Sequence, residues 1–393
     1  MNNIISYITE FGDRSLEEMP FNEVDSLVLC QLAYLDFSEY VGGIEERNTP
    51  VPVTDIGNDG DWEKILKGYW YRSDNKKLFL GFISSERFKD TRLNYYVNIT
   101  SEDEDLQFSA VTFILPDKSV YIAYRGTDAT LVGWKEDLKL AYSEPVRAQE
   151  LSVDYLDRVS SYFTGQFRIG GHSKGGNLAV YAAMFGRSDC RKRITDIYDH
   201  DGPGFRPEIV KEGHYASIKN KIHKYIPRSS IVGILLETGS DYHVVECWSV
   251  GTFQHNTYRW KSKNGAFVYS KMTDKQLMNN EAINEWILSL STTEVDVFID
   301  MAYELLTANK AKNVFDLAGD PFGNAYSAFS RYREMDQKSK DMVVTIGKRL
   351  KEIMDRKTRE KYTEWTIALK EEIRSWQEDA LSLMNKAITK KKR

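Results

Sequence analysis

The apolar positions near the start of the chain recur with a helical period. Val24, Leu27, Val28, Leu32 and Leu35 lie at this spacing, which predicts an N-terminal helix. Residues 42–107 are instead rich in charged and aromatic side chains without a clear period. We expect an irregular segment there that crosses the core or forms a partial lid.

Strand and helix patterns alternate from about residue 108 to residue 270. Residues 108–115 and 120–126 are rich in Val, Ile, Tyr and Phe around a Pro116-Asp117-Lys118 turn, and they predict a β-hairpin. The later elements, in chain order, are a helix over 148–163, a strand over 166–170, a helix over 177–186 and strands over 194–198 and 221–226. This alternation is typical of an α/β protein.

Beyond residue 274 every apolar stripe has helical spacing, which core packing between helices explains. The stripes begin at Leu277, Val297, Met342 and Trp365, and all nine prolines lie at or before Pro321. We therefore expect two regions, a core over residues 1–272 and a helical C-terminal region over residues 273–393.

Composition places the chain among soluble globular proteins. It has 393 residues, of which 41% are hydrophobic and 28% charged. Its three cysteines are scattered, so neither a disulfide framework nor a zinc site is indicated. The sequence has no signal-peptide pattern and no apolar stretch of about 18 residues, and we expect a cytoplasmic protein.

The C-terminal end carries a net positive charge, whereas the rest of the chain is net negative. Residues 331–393 hold 18 Lys and Arg against 11 Asp and Glu, a balance of +7 in a chain whose net charge is −5. The favoured interpretation is a packed helix with a solvated tail. The alternative is that Lys390–Arg393 bind anionic lipid headgroups. Without a recognised motif, no nucleic-acid partner is expected.

A G-x-S-x-G motif carries the candidate chemistry. Residues 171–175 read Gly-His-Ser-Lys-Gly between a predicted strand and a predicted helix. A sharp strand-to-helix turn exposes the serine oxygen above the sheet, and the flanking glycines remove side chains that would collide across the turn. The motif therefore predicts Ser173 as a nucleophile.

A serine nucleophile needs a histidine base and a carboxylate that orients it. His255 is the preferred base, because it lies in a loop-like stretch between two β-like segments, and His243 is the alternative. Asp201 is the preferred acid, because it follows a strand in a Gly/Pro-rich turn, although an ordinary Asx turn explains it too. Asp199 and Glu237 are the alternative candidates for the acid.

The oxyanion donors are expected from two places. One is the backbone N–H of Lys174, and the other is Thr127, which follows the strand ending near Tyr124. Arg125 is interpreted as a structural ion-pair partner. A Ser-Lys dyad is discounted because adjacent side chains diverge at this turn. No metal or cofactor motif is found, so none is expected.

These residues give the sequence a resemblance to a family of bacterial proteins, called Mbeg-like, with a lipase-like α/β-hydrolase domain. The matching stretches are residues 21–25, 107–110, 124–128, 133–137, 171–176, 201–205, 230–233 and 254–255. More distantly, the Arg-Gly-Thr turn, Trp134 and the serine motif are similar to those of class 3 lipases. That likeness implies Ser173 as nucleophile and Thr127 as oxyanion residue.

One departure from class 3 lipases concerns the acid. Those lipases usually place it after the strand that follows the one ending near Asp201, but here that turn reads Pro227-Arg228-Ser229-Ser230, with no carboxylate. Either Asp201 takes the role from the earlier turn, or the triad is incomplete.

The sequence thus predicts an α/β-hydrolase fold with a helical C-terminal region. The expected activity is hydrolysis of a small-molecule carboxylic ester through an acyl-Ser173 intermediate, as in an esterase or lipase. The alternatives are a pseudo-hydrolase that binds an acyl ligand or a protein without turnover, and an adaptor for anionic membranes or nucleic acid that uses the basic C-terminal end.

Overall fold

The chain is described by a computed structural model. The described residues are 2–45, 49–66, 71–101, 103–127, 140, 145–230, 232–237, 241–249, 251–297, 333 and 336–391. The predicted motif at 133–137 and most of the stripe beginning at Val297 lie outside them. Lys392 and Arg393, and the side chain of Trp365, are also outside.

The strands and α-helices whose bounds lie within the described residues are numbered here in chain order. The strands are β1 Val51–Pro52, β2 Arg92–Ser101, β3 Leu106–Ile114, β4 Val120–Tyr124, β5 Phe167–His172, β6 Ile194–His200, β7 Ile222–Pro227, β8 Tyr242–Val245, β9 Ser262–Lys263 and β10 Ala266–Phe267. The helices are α1 Ile4–Phe11, α2 Glu23–Leu32, α3 Val53–Asp59, α4 Trp62–Ile65, α5 Arg72–Ser84, α6 Arg147–Ser160, α7 Lys174–Phe185, α8 Ser188–Arg193, α9 Pro207–Glu212, α10 Tyr215–Ile218, α11 Asp274–Ser289 and α12 Gln337–Lys391.

Eight strands form one sheet whose spatial order follows the chain from β1 to β8. Strands β1 to β4 pair antiparallel, and strands β4 to β8 pair parallel. The predicted hairpin is confirmed, since Ala110 lies opposite Tyr124 and Ile114 opposite Val120. Helices between the parallel strands cover the sheet, so the predicted α/β-hydrolase fold is confirmed.

The two faces of the sheet bury separate apolar clusters. Strand β4 supplies both, because successive side chains of a strand point to opposite faces. Tyr121 and Ala123 lie in the cluster packed by α1, α2 and α5, whereas Ile122 and Tyr124 lie in the cluster packed by α6 and α7. The central strands are buried on both faces, which explains their continuous apolar runs.

The expectation of an irregular segment over residues 42–107 is wrong. This segment holds α3, α4, α5 and β2, and the α5 side chains Leu78, Phe79 and Phe82 are buried in the core. The period-2 pattern of β2 was hidden by a bulge between Asn94 and Val97, which shifts the alternation by one residue. The helical pattern of α5 was hidden by its polar first turns.

The C-terminal helices pack against each other. The indole Nε1 of Trp286 in α11 donates to the Ile346 carbonyl in α12 at 3.1 Å, and Ile346 and Ile353 are buried. Among the described residues, no helix is long and apolar enough to cross a membrane. The division of the chain at residue 272 stays a prediction.

A buried ion pair fixes α2 beneath the sheet. Arg87 Nε donates to Asp25 Oδ1 at 2.9 Å, and both side chains are fully buried. Arg87 Nη2 donates to Asp25 Oδ2 at 2.5 Å, and Nη1 donates to main-chain carbonyls, including that of Met19 at 2.7 Å. Tyr7 Oη donates to Asp25 Oδ1 at 2.7 Å. Each charge is therefore fully solvated by protein groups, which is what makes its burial tolerable.

Replacing Arg87 by Met should lower the free energy of unfolding by about 3–5 kcal/mol, because it leaves the Asp25 carboxylate buried and unpaired. Urea denaturation followed by circular dichroism measures the change. The control is Lys89→Met, which removes an exposed ion pair with Glu86 and should change stability little. Equal losses in both variants would contradict this account of the buried pair.

Candidate active site

Ser173 lies at the strained turn between β5 and α7. Its backbone has φ 59° and ψ −131°, a conformation that residues other than glycine rarely adopt. Its N–H donates to the His200 carbonyl of β6 at 2.9 Å, which ties the turn to the neighbouring strand. Ser173 as a whole is 8% exposed. The turn therefore holds the Ser173 hydroxyl at the carboxyl edge of the sheet, as a nucleophile elbow requires.

Two glycines make this turn possible. A Cβ on Gly171 would overlap the backbone of Gly175, and a Cβ on Gly175 would overlap the Tyr124 carbonyl at the end of β4. The helix can then begin directly against two strands, with Ser173 at its N-terminus.

The structure brings Asp201 and His255 together. Asp201 follows β6 and is fully buried, and its Oδ2 lies 2.6 Å from Nδ1 of His255. The His255 side chain is about one-third exposed, with a relative area of 32%. A bond between Nδ1 and a carboxylate places the imidazole proton on Nδ1 and leaves the Nε2 lone pair available.

The loop after β7 holds the other oxygen of Asp201. The Ser230 hydroxyl and the Gly233 N–H (3.1 Å) both donate to Asp201 Oδ1. The turn that lacks a carboxylate thus supplies hydrogen-bond donors to an acid from the preceding strand. Ser230 and Gly233 were not singled out as site residues, although their segment was among the stretches of family resemblance.

His172 links the serine turn to His255. Its ring packs against the His255 ring with centroids 4.6 Å apart, and its Nε2 donates to the His255 carbonyl at 3.1 Å. Because Nε2 carries the ring proton in that hydrogen bond, Nδ1 is the acceptor and Tyr34 Oη donates to it at 3.0 Å. Burial, and then the neighbouring His255, hold the pKa of His172 well below its usual value, so the ring stays neutral. The imidazole of His255 therefore lies beside the residue that precedes Ser173.

Among the described residues, no hydrogen bond joins Ser173 Oγ to His255. Catalytic hydrogen bonds are often long in unliganded enzymes and tighten when substrate binds. The roles of Ser173, Asp201 and His255 as a triad accordingly stay predictions.

The predicted oxyanion residues flank the serine. A Cβ on Gly126 would lie 3.1 Å from Ser173 Cβ, so the turn that carries Thr127 runs beside the nucleophile. The Lys174 N–H begins α7 immediately after Ser173. The Lys174 side chain is buried and its Nζ donates to the Gln107 carbonyl at 2.8 Å. A Ser-Lys dyad therefore has no support in the geometry.

The alternative candidates for the acid belong to another buried cluster. Lys224 Nζ lies 3.0 Å from Asp199 Oδ2 and 2.8 Å from Glu237 Oε2, and it donates to the Gly202 carbonyl at 2.8 Å. Burial raises the pKa of Asp199 to about 6, although the Lys224 ammonium opposes the rise. Neither carboxylate is within hydrogen-bond distance of His255 in the structure's described part.

The other histidines are placed away from Asp201. His243 is on the exposed side of the edge strand β8 and packs on Tyr225 and Tyr269. His200 is fully buried, with Nε2 2.9 Å from Ser26 Oγ. Its Nδ1 has no hydrogen-bond partner within the described residues. Of the candidate bases, His255 is the one that the structure brings to the candidate acid.

No group of three or more His, Cys, Asp or Glu side chains in the described part of the chain could hold a metal ion. The arrangement instead offers a hydroxyl at the sheet edge, an imidazole and a buried carboxylate, which are the groups of nucleophilic acyl transfer.

Comparison with known proteins adds a family and distant structural relatives. The model of the Mbeg1-like family matches residues 82–304. No curated protein sequence matches the chain. The M37 lipase is 13% identical with TM-score 0.37, and the match covers 55% of this chain and 70% of that one. The Rhizomucor miehei lipase in a propeptide complex is 18% identical with TM-score 0.30, covering 40% and 57%. A fungal lipase–inhibitor complex is 14% identical with TM-score 0.33, covering 62% and 79%.

Stability should fall as the pH is lowered below about 6.5, because two histidines buried in the neutral form outweigh Asp199, whose raised pKa acts in the opposite sense. Burial lowers the pKa of His200 to about 3 and that of His172 well below its usual value. The unfolded chain then binds more protons below pH 6.5, and each such group costs about 1.4 kcal/mol per pH unit. Urea denaturation at pH 7 and pH 5 measures the loss, which should be smaller in His200→Gln. The same pH dependence in both proteins would contradict the assignment.

Proposed function

This chain belongs to the Mbeg1-like family, and we propose that it is a serine hydrolase that cleaves carboxylic esters through an acyl-Ser173 intermediate. The observation that carries the proposal is the strained Ser173 turn beside a histidine whose Nδ1 contacts a buried carboxylate. The lipase-like hydrolase fold provides the sheet edge on which these residues lie.

In the proposed acylation, Ser173 Oγ attacks the ester carbonyl carbon while its proton passes to Nε2 of His255. Asp201 stabilises the imidazolium and keeps its Nδ1–H oriented. The bond from the carbonyl carbon to the leaving oxygen then breaks. His255 gives its proton to that oxygen, so an alcohol departs and an ester of Ser173 remains.

Water completes the proposed cycle. It attacks the acyl-Ser173 carbonyl and gives one proton to His255, which passes it to the departing Ser173 oxygen; a carboxylic acid is released. In both steps negative charge develops on the carbonyl oxygen. The N–H of Lys174 and the N–H or hydroxyl of Thr127 are proposed to stabilise that charge.

The other expectations about partners stay predictions. A small-molecule acyl ester is the proposed substrate. Binding of the basic tail Lys390–Arg393 to anionic lipid headgroups is a separate proposal. It is supported by the +7 balance of residues 331–393.

A fluorophosphonate probe should label wild-type protein covalently, and Ser173→Ala should abolish the labelling. The reason is that the probe requires an activated serine oxygen. Labelling is measured by mass spectrometry of the intact protein, with circular dichroism as the control for folding. Equal labelling of the variant would remove Ser173 as nucleophile. Labelling of wild type without turnover of a p-nitrophenyl ester would favour the pseudo-hydrolase.

Asp201→Asn and His255→Ala should each lower ester turnover by roughly 10³-fold or more, and the double variant should lose little beyond either single variant, since triad members act as a unit. The turnover number is measured with a short p-nitrophenyl ester. His243→Ala is the matched control, because His243 is exposed on β8, and it should keep wild-type turnover. Inactivation by His243→Ala alone would show that the base is misassigned.

A further inference from the structure

We infer that Asn284 of the C-terminal helix α11 is a positioning residue for the candidate acid Asp201, so that the helical C-terminal region is part of the catalytic machinery. This inference rests on the function proposed above. Asn284 lies 83 positions from Asp201 in the sequence and acts through the loop that follows β7.

The loop after β7 contacts the candidate acid directly. Ser230 and Gly233 donate to Asp201 Oδ1. The far end of the same loop pairs with the turn that carries Asp201: the Gly204 N–H donates to the Leu235 carbonyl at 2.7 Å, and the Phe205 N–H donates to the Leu236 carbonyl at 3.1 Å. The loop therefore holds both the side chain and the backbone of the acid turn.

The same loop also contacts α11. The Leu236 N–H donates to Asn284 Oδ1 at 2.8 Å, and Asn284 Nδ2 donates to the Ile234 carbonyl at 2.8 Å. One amide thus satisfies a donor and an acceptor two residues apart, which also fixes the orientation of the amide. Gln276, at the start of α11, donates to Ser229 Oγ at 2.7 Å.

The loop needs this support, because Leu236 is strained. Its φ is 54°, in the left-handed region that favours glycine, and its side chain is buried. Such a conformation costs about 1–3 kcal/mol and persists only where the surroundings impose it. Asn284 Oδ1 holds the Leu236 N–H from outside the loop, and the Leu236 carbonyl accepts from the Phe205 N–H, so the strained residue is fixed on both sides.

Helix α11 is itself anchored by α12. Arg356 forms an ion pair with Glu285, the residue after Asn284, and Lys357 lies 3.1 Å from Glu281 one turn earlier. The Trp286 indole donates to the Ile346 carbonyl of α12. These contacts hold the face of α11 that carries Asn284 toward the loop.

The test compares Asn284→Ala with Asn280→Ala, the same change one turn earlier in α11. There the side-chain amide donates to Met272 Sδ at 3.4 Å and forms no hydrogen bond with the β7 loop in the described part of the chain. Asn284→Ala should lower kcat for a p-nitrophenyl ester by about 10- to 100-fold with KM nearly unchanged, because a small displacement of the acid weakens the base. Asn280→Ala should keep wild-type kcat.

A second readout does not depend on turnover. The short hydrogen bond between His255 Nδ1–H and Asp201 should give a proton resonance far downfield in the NMR spectrum. That resonance should be present in wild type, Ser173→Ala and Asn280→Ala, and lost or shifted upfield in Asn284→Ala. Loss in Asn284→Ala from a wild type that hydrolyses no ester would uphold the positioning role while the hydrolase proposal fails.

Combining variants distinguishes a positioning role of Asn284 from a merely structural one. In an Asp201→Asn background, Asn284→Ala should lower kcat little further, because the oriented carboxylate is already gone. Additive losses, or unchanged kcat together with an unchanged downfield resonance in Asn284→Ala, would overturn the inference. If Asn284→Ala does not fold, Asn284→Asp replaces it, since this isosteric change keeps the acceptor for Leu236 and removes the donor to Ile234.

Discussion

The candidate site depends on how the buried carboxylate of Asp201 is satisfied. One oxygen contacts His255 Nδ1, and the other accepts from Ser230 and Gly233. A carboxylate with no exposed surface is tolerated only if hydrogen bonds replace the water it has lost. The positions of the β7 loop and of His255 are therefore set by one group, and a fault in either would leave a buried charge without compensation.

Backbone strain is concentrated at the same place. Ser173 and Asp201 both have positive φ, at 59° and 58°, where β5 and β6 end side by side. The Ser173 N–H bonds the His200 carbonyl, and the Asp201 N–H bonds the Tyr225 carbonyl at 2.8 Å. Each strained residue is thus held by the adjacent parallel strand, and the central sheet stabilises a geometry that the local chain disfavours.

The position of the candidate acid, Asp201, differs from that expected for the class 3 lipases that the motifs of this chain resemble. There the acid usually follows the next strand; here that loop carries Ser230 and Gly233 as donors instead. The loop after β7 contacts Asp201 at one end and Asn284 of α11 at the other.

The sequence by itself determined the features that depend on near neighbours. Residues 171–175 identified the turn, and the alternation of strand and helix identified the fold. Each of these elements is recognised from residues that are close together in the sequence. The tertiary structure decided what depends on distant partners: His255 rather than His243 beside Asp201, the donors from Ser230 and Gly233, and the two hydrogen bonds of Asn284. It also placed β2 in the sheet, since a bulge hid its alternation. Contacts between residues far apart in the chain arise from packing, which local patterns do not encode.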